Sequence, residues 1–519
     1  MKNWRNMKIA IEGCMHGELQ KVYETLVEIE EREKYKIDLL ICCGDFQATR
    51  NISDLKCMAV PEKHLSMGSF YKYYSGELKA PVLTIVIGGN HEASNHLQEL
   101  PFGGWLCPNI YFLGNSGVVD IVDGDNGVIL TLGGLSGIYK ARDYLLGRYE
   151  RVPYDENAKR SVYHVRNIDA FRLKSMAPGS IDVGLSHDWP CGITDYGNVE
   201  QLLRFKRHFR EDIENNALGS PPTMDVLKHL LPNYWFSAHL HCKFPAVYQN
   251  KTKFLGLDKC LPNRRFLQVI EEGPSPSGAI KLHYNPHWLS ILKSTNHLQS
   301  SKRTEQHMPG PGYSQRFDFR PTEEELKVIR DLFKNDLTIP ENFTRTAKVF
   351  DNPENFRNHL FATSMPSQPQ INPQTEEFCE KLGIDDPIRL IDQEKRTTYC
   401  SSSLKAADFI VEKTRNDDEI ELDDDSDDDE GDNVKCGRGE EAKNVENQST
   451  SEVKKFSMNL PAPLKSVAQE AKISSLESSA THEENIQAVE RTSIVENVQA
   501  EQPVKKTLKR RNASIYAND

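Results

Sequence analysis

Side chains that can bind a metal ion stand just after several apolar segments of this chain, where predicted strands end. In chain order they are Cys14, His16, Asp45, Asn90, His91, His187, His239 and His241. In an open α/β sheet, ligands bind beyond the carboxyl ends of the strands. The positions of these residues therefore predict one shared metal site at one edge of a sheet.

Two pairs of these residues have the same spacing, since Cys14 and His16 are two apart and so are His239 and His241. Residues two apart on an extended segment point to the same side, so we expect each pair to present two groups toward one point. Taken singly, each motif has an ordinary explanation. A histidine at a strand end usually makes a hydrogen bond, a Gly-Asp pair often forms a turn, and a buried cysteine usually packs. Five such motifs in one chain favour the metal site.

The elements that must position these residues follow a strand–helix–strand order. Near-continuous apolar segments such as MKIAIEG, IDLLICCGD and APVLTIVIGGN predict buried strands of a largely parallel sheet, and GELQKVYETLVEIEEREK predicts a helix. Later segments, among them GVILTLGG, SIDVGLSH and NYWFSAHLH, are compatible with a second sheet. Residues 309–312 (PGPG) predict a linker. Thr322 and Glu325 have the spacing of a capping box, which predicts a helix over 322–335.

Composition limits the class of protein. No apolar run approaches the roughly 20 residues that span a bilayer. Eleven scattered cysteines without a CxxC pair indicate reduced thiols, so we expect a soluble, intracellular protein with no membrane partner. The net charge of the chain is −12, and residues 416–430 contribute −11 of it through eleven acidic residues. The rest of the chain is therefore nearly neutral, at −1. The charge therefore does not exclude a nucleic-acid partner.

The order of the motifs, C-x-H, G-D, G-N-H-E, H and A-H-x-H, resembles the D-x-H, G-D, G-N-H-E, H and G-H-x-H order of the calcineurin-like metallophosphoesterases. Two departures, Cys14 for Asp and Ala238 for Gly, are similar to one branch of that superfamily, the RNA lariat debranching enzymes. Further segments that resemble this branch are GLSGIYKARDYLLGRYERVPY (134–154), SVYHVRNIDAFRL (161–173), LSHDWPCGI (185–193), YWFSAHLHCKF (234–244) and FLGLDKCLP (254–262).

The resemblance implies an α/β fold, a calcineurin-like metallophosphoesterase sandwich of two mixed β-sheets flanked by helices. It implies an N-terminal extension at 1–6, a catalytic domain at 7–290 with a lariat-recognition loop at 130–160, and a partly helical C-terminal debranching-enzyme domain at 291–410. Residues 411–519, which are Ser-, Glu- and Lys-rich with few aromatics, are predicted to be a disordered acidic tail.

The resemblance also implies two neighbouring divalent cations. The first site would consist of Cys14, His16, Asp45 and His241, and the second of Asp45, Asn90, His187 and His239, with Asp45 as the bridge. A thiolate is a softer ligand than a carboxylate and favours zinc or ferrous iron over magnesium or calcium. We therefore expect up to two ions, Fe²⁺, Zn²⁺ or Mn²⁺.

The implied reaction is hydrolysis of the 2′–5′ phosphodiester at the branch point of excised intron lariats, which linearises them for turnover. Two cations roughly 3.5–4 Å apart polarise a phosphodiester and lower the pKa of a bound water toward neutrality, so a metal-bound hydroxide would attack phosphorus. By resemblance, His91 is not a ligand but protonates the leaving oxygen or stabilises the developing charge.

Residues 139–174 hold nine Lys and Arg residues against five Asp and Glu residues, with tyrosines at 139, 144, 149 and 154. Cations neutralise phosphates and aromatic faces stack unpaired bases, although a surface helix with amphipathic tyrosines has the same composition. The resemblance decides for RNA, because this insertion corresponds to the loop that recognises the lariat branch. The predicted RNA-binding residues are Tyr139, Lys140, Arg142, Tyr144, Arg148 and Tyr149.

The basic cluster KKTLKRR at 505–511 predicts a nuclear import signal, a nuclear location, and import or splicing-associated partners for the tail. Three other hypotheses stay open at this point. The chain can act on another phosphodiester or a phosphoprotein, it can be a metal-free scaffold, or it can bind RNA with a vestigial site. Cleavage of branched but not linear RNA separates debranching from all three.

Overall fold

The computed structural model describes residues 6–391, except 125–126, 352–353 and 355. The predicted tail at 411–519, with its basic cluster, lies outside the described residues. The strands are β1 (Asn6–Glu12), β2 (Leu39–Cys42), β3 (Thr84–Val86), β4 (Gly104–Cys107), β5 (Ile110–Phe112), β6 (Ser116–Asp123), β7 (Gly127–Leu135), β8 (Val183–Ser186), β9 (Tyr234–Ser237), β10 (Phe244–Tyr248), β11 (Thr252–Gly256), β12 (Leu267–Pro274) and β13 (Ile280–Tyr284).

The helices are α1 (Leu19–Glu33), α2 (Ile52–Leu55), α3 (Phe70–Ser75), α4 (Ser94–Gln98), α5 (Ala141–Tyr144), α6 (Glu156–Ser161), α7 (Asn167–Lys174), α8 (Val199–Phe205), α9 (Phe209–Glu214), α10 (Pro221–Leu230), α11 (Pro286–Ser294), α12 (Glu323–Leu332), α13 (Phe356–Ala362) and α14 (Pro373–Leu382). Among the described residues, no helix combines the length and the apolar character needed to cross a bilayer.

The strands form two mixed sheets, as the resemblance predicts. The six-stranded sheet has the order β12-β1-β2-β3-β5-β4, in which β1, β2, β3 and β5 run parallel and the two edge strands are antiparallel. The seven-stranded sheet has the order β10-β11-β9-β8-β7-β6-β13, with β7, β8, β9 and β11 parallel. The parallel strands of each sheet thus end at a common edge.

One buried core lies between the two sheets. It contains Ile9 and Ile41 from the first sheet and Leu132, Leu185 and Phe236 from the second. Helices α1 and α3 pack on the outer side of the first sheet, and α7, α10 and α11 pack on the second. Because the central strands are covered on both faces, their sequences are almost continuously apolar.

Helices α12 and α14 of the C-terminal region pack on the outer side of the second sheet. Thr322 is the N-cap of α12: its side chain accepts the N–H of Glu325 while the Glu325 carboxylate accepts the N–H of Thr322, which confirms the predicted capping box, and the helix ends at Leu332 and not at the predicted 335. Ile329 of α12 and Leu382 of α14 are buried in the same cluster as Leu292 of α11. The predicted domain limits at 290 and 410 stay predictions, since α11 and α12 share this core.

Candidate metal centre

The predicted ligands lie beyond the ends of five parallel strands, three from the first sheet and two from the second. Cys14 and His16 follow β1, Asp45 follows β2, Asn90 and His91 follow β3, His187 follows β8, and His239 and His241 follow β9. Since the strands of each sheet are parallel and the sheets pack face to face, all five ends meet at one edge of the sandwich.

A first group of side chains brings four potential ligand atoms together. One atom from each of Cys14, His16, Asp45 and His241 lies within 4.8 Å of the others. The Nε2 atoms of His16 and His241 are 3.1 Å apart. This separation is close to the roughly 3.3–3.5 Å expected between two nitrogens that bind one zinc ion at about 2.0–2.1 Å. Without a cation or a proton between them, two imidazole lone pairs repel each other at this distance.

A second group surrounds the other oxygen of the same carboxylate. Asp45 Oδ1 lies 3.3 Å from His187 Nε2, whereas Asp45 Oδ2 lies 3.7 Å from His16 Nε2. His187 Nε2 is also 3.1 Å from Asn90 Oδ1, and the rings of His187 and His239 are 5.1 Å apart. The Asp45 carboxylate therefore faces both groups, one oxygen toward each.

The backbone brings the paired residues together in a way that differs from the sequence prediction. Extended segments were expected at 14–16 and 239–241, but His16, His239 and His241 have φ values of 46°, 63° and 48°. Asp45 also has a positive φ, 50°. Left-handed backbone is costly for residues other than glycine, on the order of 1 kcal/mol each, and it often clusters at functional sites. The pairs converge through tight turns, not through strand alternation.

Two glycines allow the strand ends to approach each other. A Cβ atom at Gly89 would lie 2.2 Å from Asp45 Oδ1, and a Cβ atom at Gly44 would lie 2.3 Å from His187 Nδ1. Gly44 also has a φ of 114°, which side chains rarely permit. Any larger residue at either position would push the carboxylate or the imidazole out of the centre.

Hydrogen bonds fix the orientation of the ligand groups. The Nδ1–H of His187 donates to the Cys43 carbonyl over 2.8 Å, which leaves the Nε2 lone pair directed at Asp45 and Asn90. This is the usual arrangement of a metal-binding histidine, whose other nitrogen is held by a carbonyl or carboxylate. On the other side of the centre, the backbone N–H of His239 donates to Cys14 Sγ over 3.0 Å.

Burial sets the protonation of the ligands. It lowers the pKa of His16 to about 4 and that of His239 to about 3, so these imidazoles are neutral near pH 7 and their nitrogens can bind a metal. Burial opposes ionisation of Asp45, but the neighbouring rings of His187 and His91 hold its pKa well below the usual range. Burial and the Asp45 charge raise the pKa of the Cys14 thiol, so this thiolate needs a cation beside it.

His91 lies at the centre without joining either group. Its backbone N–H donates to Asp45 Oδ1 over 2.8 Å, and its ring centroid is 5.4 Å from that of His16. Its side chain remains partly exposed. The ring therefore lies beside the bridging carboxylate, where it can contact a substrate that binds over the ions.

The predicted RNA-binding residues begin next to the second group. The N–H of Tyr139 donates to Asp188 Oδ2 over 3.3 Å, and Asp188 is the residue directly after His187. Lys140 has a buried ammonium without a hydrogen-bond partner among the described residues, and Arg142 is exposed. The Tyr139 and Tyr144 rings pack edge to face, with centroids 5.5 Å apart.

Two of the predicted RNA-binding residues make their contacts within the protein. Arg148 pairs with Asp169 at 2.6 Å, and Tyr149 lies 3.2 Å from the Ser161 hydroxyl with Arg303 over its ring. These two side chains are held in place by the fold, whereas Arg142 is open to a ligand.

The sequence reasoning missed two buried carboxylates that support the centre. Glu92 accepts the N–H groups of Phe46 and Gly89 on one oxygen and that of Gln47 on the other, at 2.9–3.0 Å, which holds the Asp45 turn against the end of β3. Burial raises its pKa to about 7. Asp188, through its bond to Tyr139, links the segment predicted to bind RNA to the residue that follows His187. The available signal was the acidic residue that follows each histidine motif, in G-N-H-E and S-H-D.

The residues present fit a pair of divalent cations. Imidazoles, a carboxylate with one oxygen toward each group, an amide oxygen and a thiol are the donors that zinc and iron accept in proteins. All seven predicted ligands lie in one centre, and Asp45 is the only one of them that faces both groups through two oxygens.

Comparisons with known proteins identify the family to which the chain is similar. Residues 7–243 match the calcineurin-like phosphoesterase family, and residues 249–387 match the family described as lariat debranching enzyme, C-terminal domain. A protein named lariat debranching enzyme from Drosophila melanogaster is 49% identical over 434 residues, which cover 74% of this chain and 79% of that protein.

Other relatives of the same name come from distant organisms. The protein from Homo sapiens is 46% identical over 439 residues, 81% of this chain and 77% of that protein. The protein from Arabidopsis thaliana is 47% identical over 383 residues, 73% of this chain and 86% of that protein. Each of these three relatives is 46–49% identical to this chain over more than 70% of both sequences. The chain also matches the models of both the catalytic domain and the C-terminal domain. The chain belongs to the lariat debranching enzyme family, with a calcineurin-like phosphoesterase as its catalytic part.

Proposed function

We propose that this chain hydrolyses the 2′–5′ phosphodiester at the branch point of excised intron lariats and so converts them into linear RNA. The observation that carries the proposal is the Asp45 carboxylate, which presents one oxygen to each of two groups of neutral or hydrogen-bonded ligands. Divalent cations bound there supply Lewis-acid polarisation of the phosphodiester and lower the pKa of water. The relatives support the branched substrate.

The residues of the chain perform the remaining tasks. Asp45 and the imidazoles bind and space the cations, and Glu92 holds the Asp45 turn through three backbone N–H groups. His91 is free of the ligand groups and delivers a proton to the leaving 2′ oxygen or stabilises its charge. Tyr139 is hydrogen-bonded to Asp188, the residue after His187, and Tyr139, Lys140 and Arg142 are the side chains proposed to bind the RNA around the branch.

The overall reaction is tested with one set of substrates. Purified protein is incubated with a branched RNA and with a linear 3′–5′ RNA of the same sequence, each with and without a chelator. We expect cleavage of the branched RNA alone, abolished by the chelator and restored by added metal. Equal cleavage of the linear RNA would favour a general phosphodiesterase, and binding without cleavage in loaded protein would favour an RNA-binding module.

His91→Ala is expected to lower turnover by about 10²–10⁴-fold, because a positioned proton donor contributes that much to a transition state. Metal content should stay unchanged, since the His91 ring is in neither ligand group. The measurement is single-turnover cleavage together with metal analysis of the same sample. A branched substrate whose leaving oxygen is more acidic should react almost equally with both proteins. Loss of metal in the variant would make His91 a ligand and contradict the assignment.

Cys14→Asp is expected to change which metal the protein retains. The thiolate favours Zn²⁺ or Fe²⁺, so purified wild-type protein should carry these ions, while the variant should exchange them for Mn²⁺ or Mg²⁺. The measurement is elemental analysis of protein purified without chelators. Cys379→Ala, which alters a buried cysteine in the α14 core, is the matched control. Identical metal identity and stoichiometry in wild type and Cys14→Asp would refute selection by the thiol.

We also propose that the protein acts in the nucleus, through the basic cluster at 505–511. A lariat substrate arises where introns are excised, and a cluster of lysines and arginines is the composition of an import signal. Substituting the cluster by glutamines in a fluorescent fusion should move the protein out of the nucleus. An unchanged distribution of the fusion protein would show that another segment, or a partner, directs its location in the cell.

A further inference from the structure

A second basic surface lies beside the first ligand group, and neither the metal centre nor the predicted RNA-binding segment includes it. We name it the β10 surface. Its members are Arg204, Phe205, Lys206, Arg207, Lys243 and Arg265. They come from the end of α8, from the turn between β9 and β10, and from the segment that precedes β12.

The chain connects this surface directly to the first ligand group. Lys243 is two residues after His241, at the start of β10. The segment that carries Arg265 runs alongside Cys14, since the N–H of Cys14 donates to the Asp258 carbonyl over 3.2 Å and the N–H of Cys260 donates to the Cys14 carbonyl over 2.9 Å. A strand bound on this surface therefore reaches the metal centre from the Cys14 and His241 side.

The end of α8 packs toward the same place. The turn before α8 contacts β10, with Gly197 bridged to Ala246 and the Tyr196 and Tyr248 rings 4.8 Å apart. Leu202, in the last turn of α8, is buried in the same apolar cluster as Cys242 and Phe244. Helix α8 therefore packs toward the turn that carries His241 and Lys243.

Among the described residues, the charges on this surface are mostly uncompensated. Its main carboxylate, Asp258, already accepts the backbone N–H of Lys259 and lies 3.8 Å from Arg264 Nη1. Lys243 donates to the neutral amide oxygen of Gln268 over 2.8 Å. The nearest acidic residues along the chain, Glu200 and Glu211, stand at the first turns of α8 and α9. The surface can thus bind several phosphates.

An aromatic ring in the middle of these cations is unusually open. Phe205 is 76% exposed and stands in the run RFKRH, between Arg204 and Lys206. Single exposed apolar side chains are common on protein surfaces, so the ring is informative only because it is the most exposed large apolar side chain among the described residues and has cations on both sides. Cations that follow a backbone together with an aromatic platform are the pattern of single-stranded nucleic-acid binding.

We propose that the β10 surface binds one of the single-stranded RNA arms that leave the branch point, with its phosphates on the cations and a base on Phe205. This inference rests on the proposed debranching function. A branch nucleotide carries 2′, 3′ and 5′ phosphodiesters, so three strands leave it. The segment after Tyr139 lies beside the second ligand group and the β10 surface lies beside the first, which provides a separate path for a second arm.

The test compares branched RNA with arms of about ten nucleotides and the same branch trimmed to single nucleotides, a difference that spans a typical single-strand site of about 4–16 nucleotides. The variant is Lys206→Gln/Arg207→Gln/Arg265→Gln. The matched control is Lys281→Gln/Lys327→Gln/Lys334→Gln, whose exposed lysines are on β13 and around α12. β13 is at the opposite edge of the seven-stranded sheet from β10, so the charge change is equal and distant.

For the long-armed RNA, the variant should raise KM about 10-fold at low salt and leave kcat unchanged, while the control should match wild type. In chelator, where the RNA stays intact, the slope of log Kd against log salt should fall by about 2, at about 0.7 for each lost phosphate contact. Phe205→Ala should weaken binding about 10-fold without changing that slope. The trimmed substrate should respond to none of these variants.

Equal KM and salt slope in the variant and the control would overturn the proposal, and so would an equal loss on the trimmed substrate, which would mean damage to the metal centre. If the surface serves an acidic protein, RNA binding is unaffected and the proposal fails. Failure of wild-type protein to cleave branched RNA would refute debranching itself, which is a separate result.

Discussion

Asp45→Asn is expected to lower debranching by at least about 10³-fold, because it removes the negative charge and one of the two oxygens of the side chain that faces both ligand groups. The amide keeps the size of the side chain, so the fold should persist. Metal content should fall from two ions to at most one. Single-turnover cleavage and metal analysis of the same preparation measure both effects.

The control for this substitution is Asp38→Asn. Asp38 precedes β2, accepts the N–H of Lys8 over 2.7 Å, and is therefore at the other end of the strand that delivers Asp45. It should retain wild-type turnover and both ions. If the Asp45→Asn protein kept two ions and more than a tenth of the activity, Asp45 would not be an essential bridge. The two cation sites would then be independent of each other.

Arg50→Met is expected to destabilise the protein by about 3–5 kcal/mol, since it leaves buried carboxylates without their cation. Arg50 is 1% exposed and pairs with Asp54 at 2.8 Å and with Glu99 at 2.6 Å. Glu99 in turn accepts the hydroxyl of Thr346 over 2.5 Å, so the same cluster binds the C-terminal region to the turn after β2. Urea unfolding gives the free energy of unfolding directly.

Arg210→Met is the matched control, because Arg210 pairs with Glu214 at 3.8 Å on the surface of α9, with both side chains about two-thirds exposed. Exposed ion pairs contribute roughly 0–1 kcal/mol. If both substitutions cost the same, the buried cluster does not stabilise the fold as a unit. If Arg50→Met unfolds the C-terminal region first, two transitions should appear in place of one.

Part of this structure was predictable from local patterns. The near-continuous apolar segments predicted the buried parallel strands β1, β2, β3, β8 and β9, and the polar residues at their ends predicted the metal centre. Thr322 and Glu325 predicted the start of α12 because a capping box is a local interaction between neighbouring residues. Elements whose stabilising contacts are between neighbouring residues can therefore be predicted from the sequence.

Other features depend on contacts between distant segments. The short strands β4 and β10 are edge strands, and each pairs with a single neighbour, β5 or β11, that is supplied by the sheet. β10 also contains Pro245 at an exposed edge position. The left-handed turns at His16 and His241 exist because surrounding residues fix them. Histidine is enriched in left-handed backbone, but such residues are too uncommon for the sequence to predict the turns. The role of Glu92 in holding the Asp45 turn depends on its hydrogen bond with the backbone of Phe46, which is distant in the sequence.

The hydrogen bond from the His239 backbone to the Cys14 sulfur has a consequence for how the protein acquires its ions. Cys14 belongs to one ligand group and His239 to the other, so a shift of the sulfur moves the chain that carries the second imidazole. If each group binds one ion, as proposed, filling of one position should favour filling of the other, and the two ions should bind cooperatively when apoprotein is titrated with metal. Removal of one ion should lower the affinity for the other. Protein with a single bound ion should therefore be a minor species at intermediate metal concentrations.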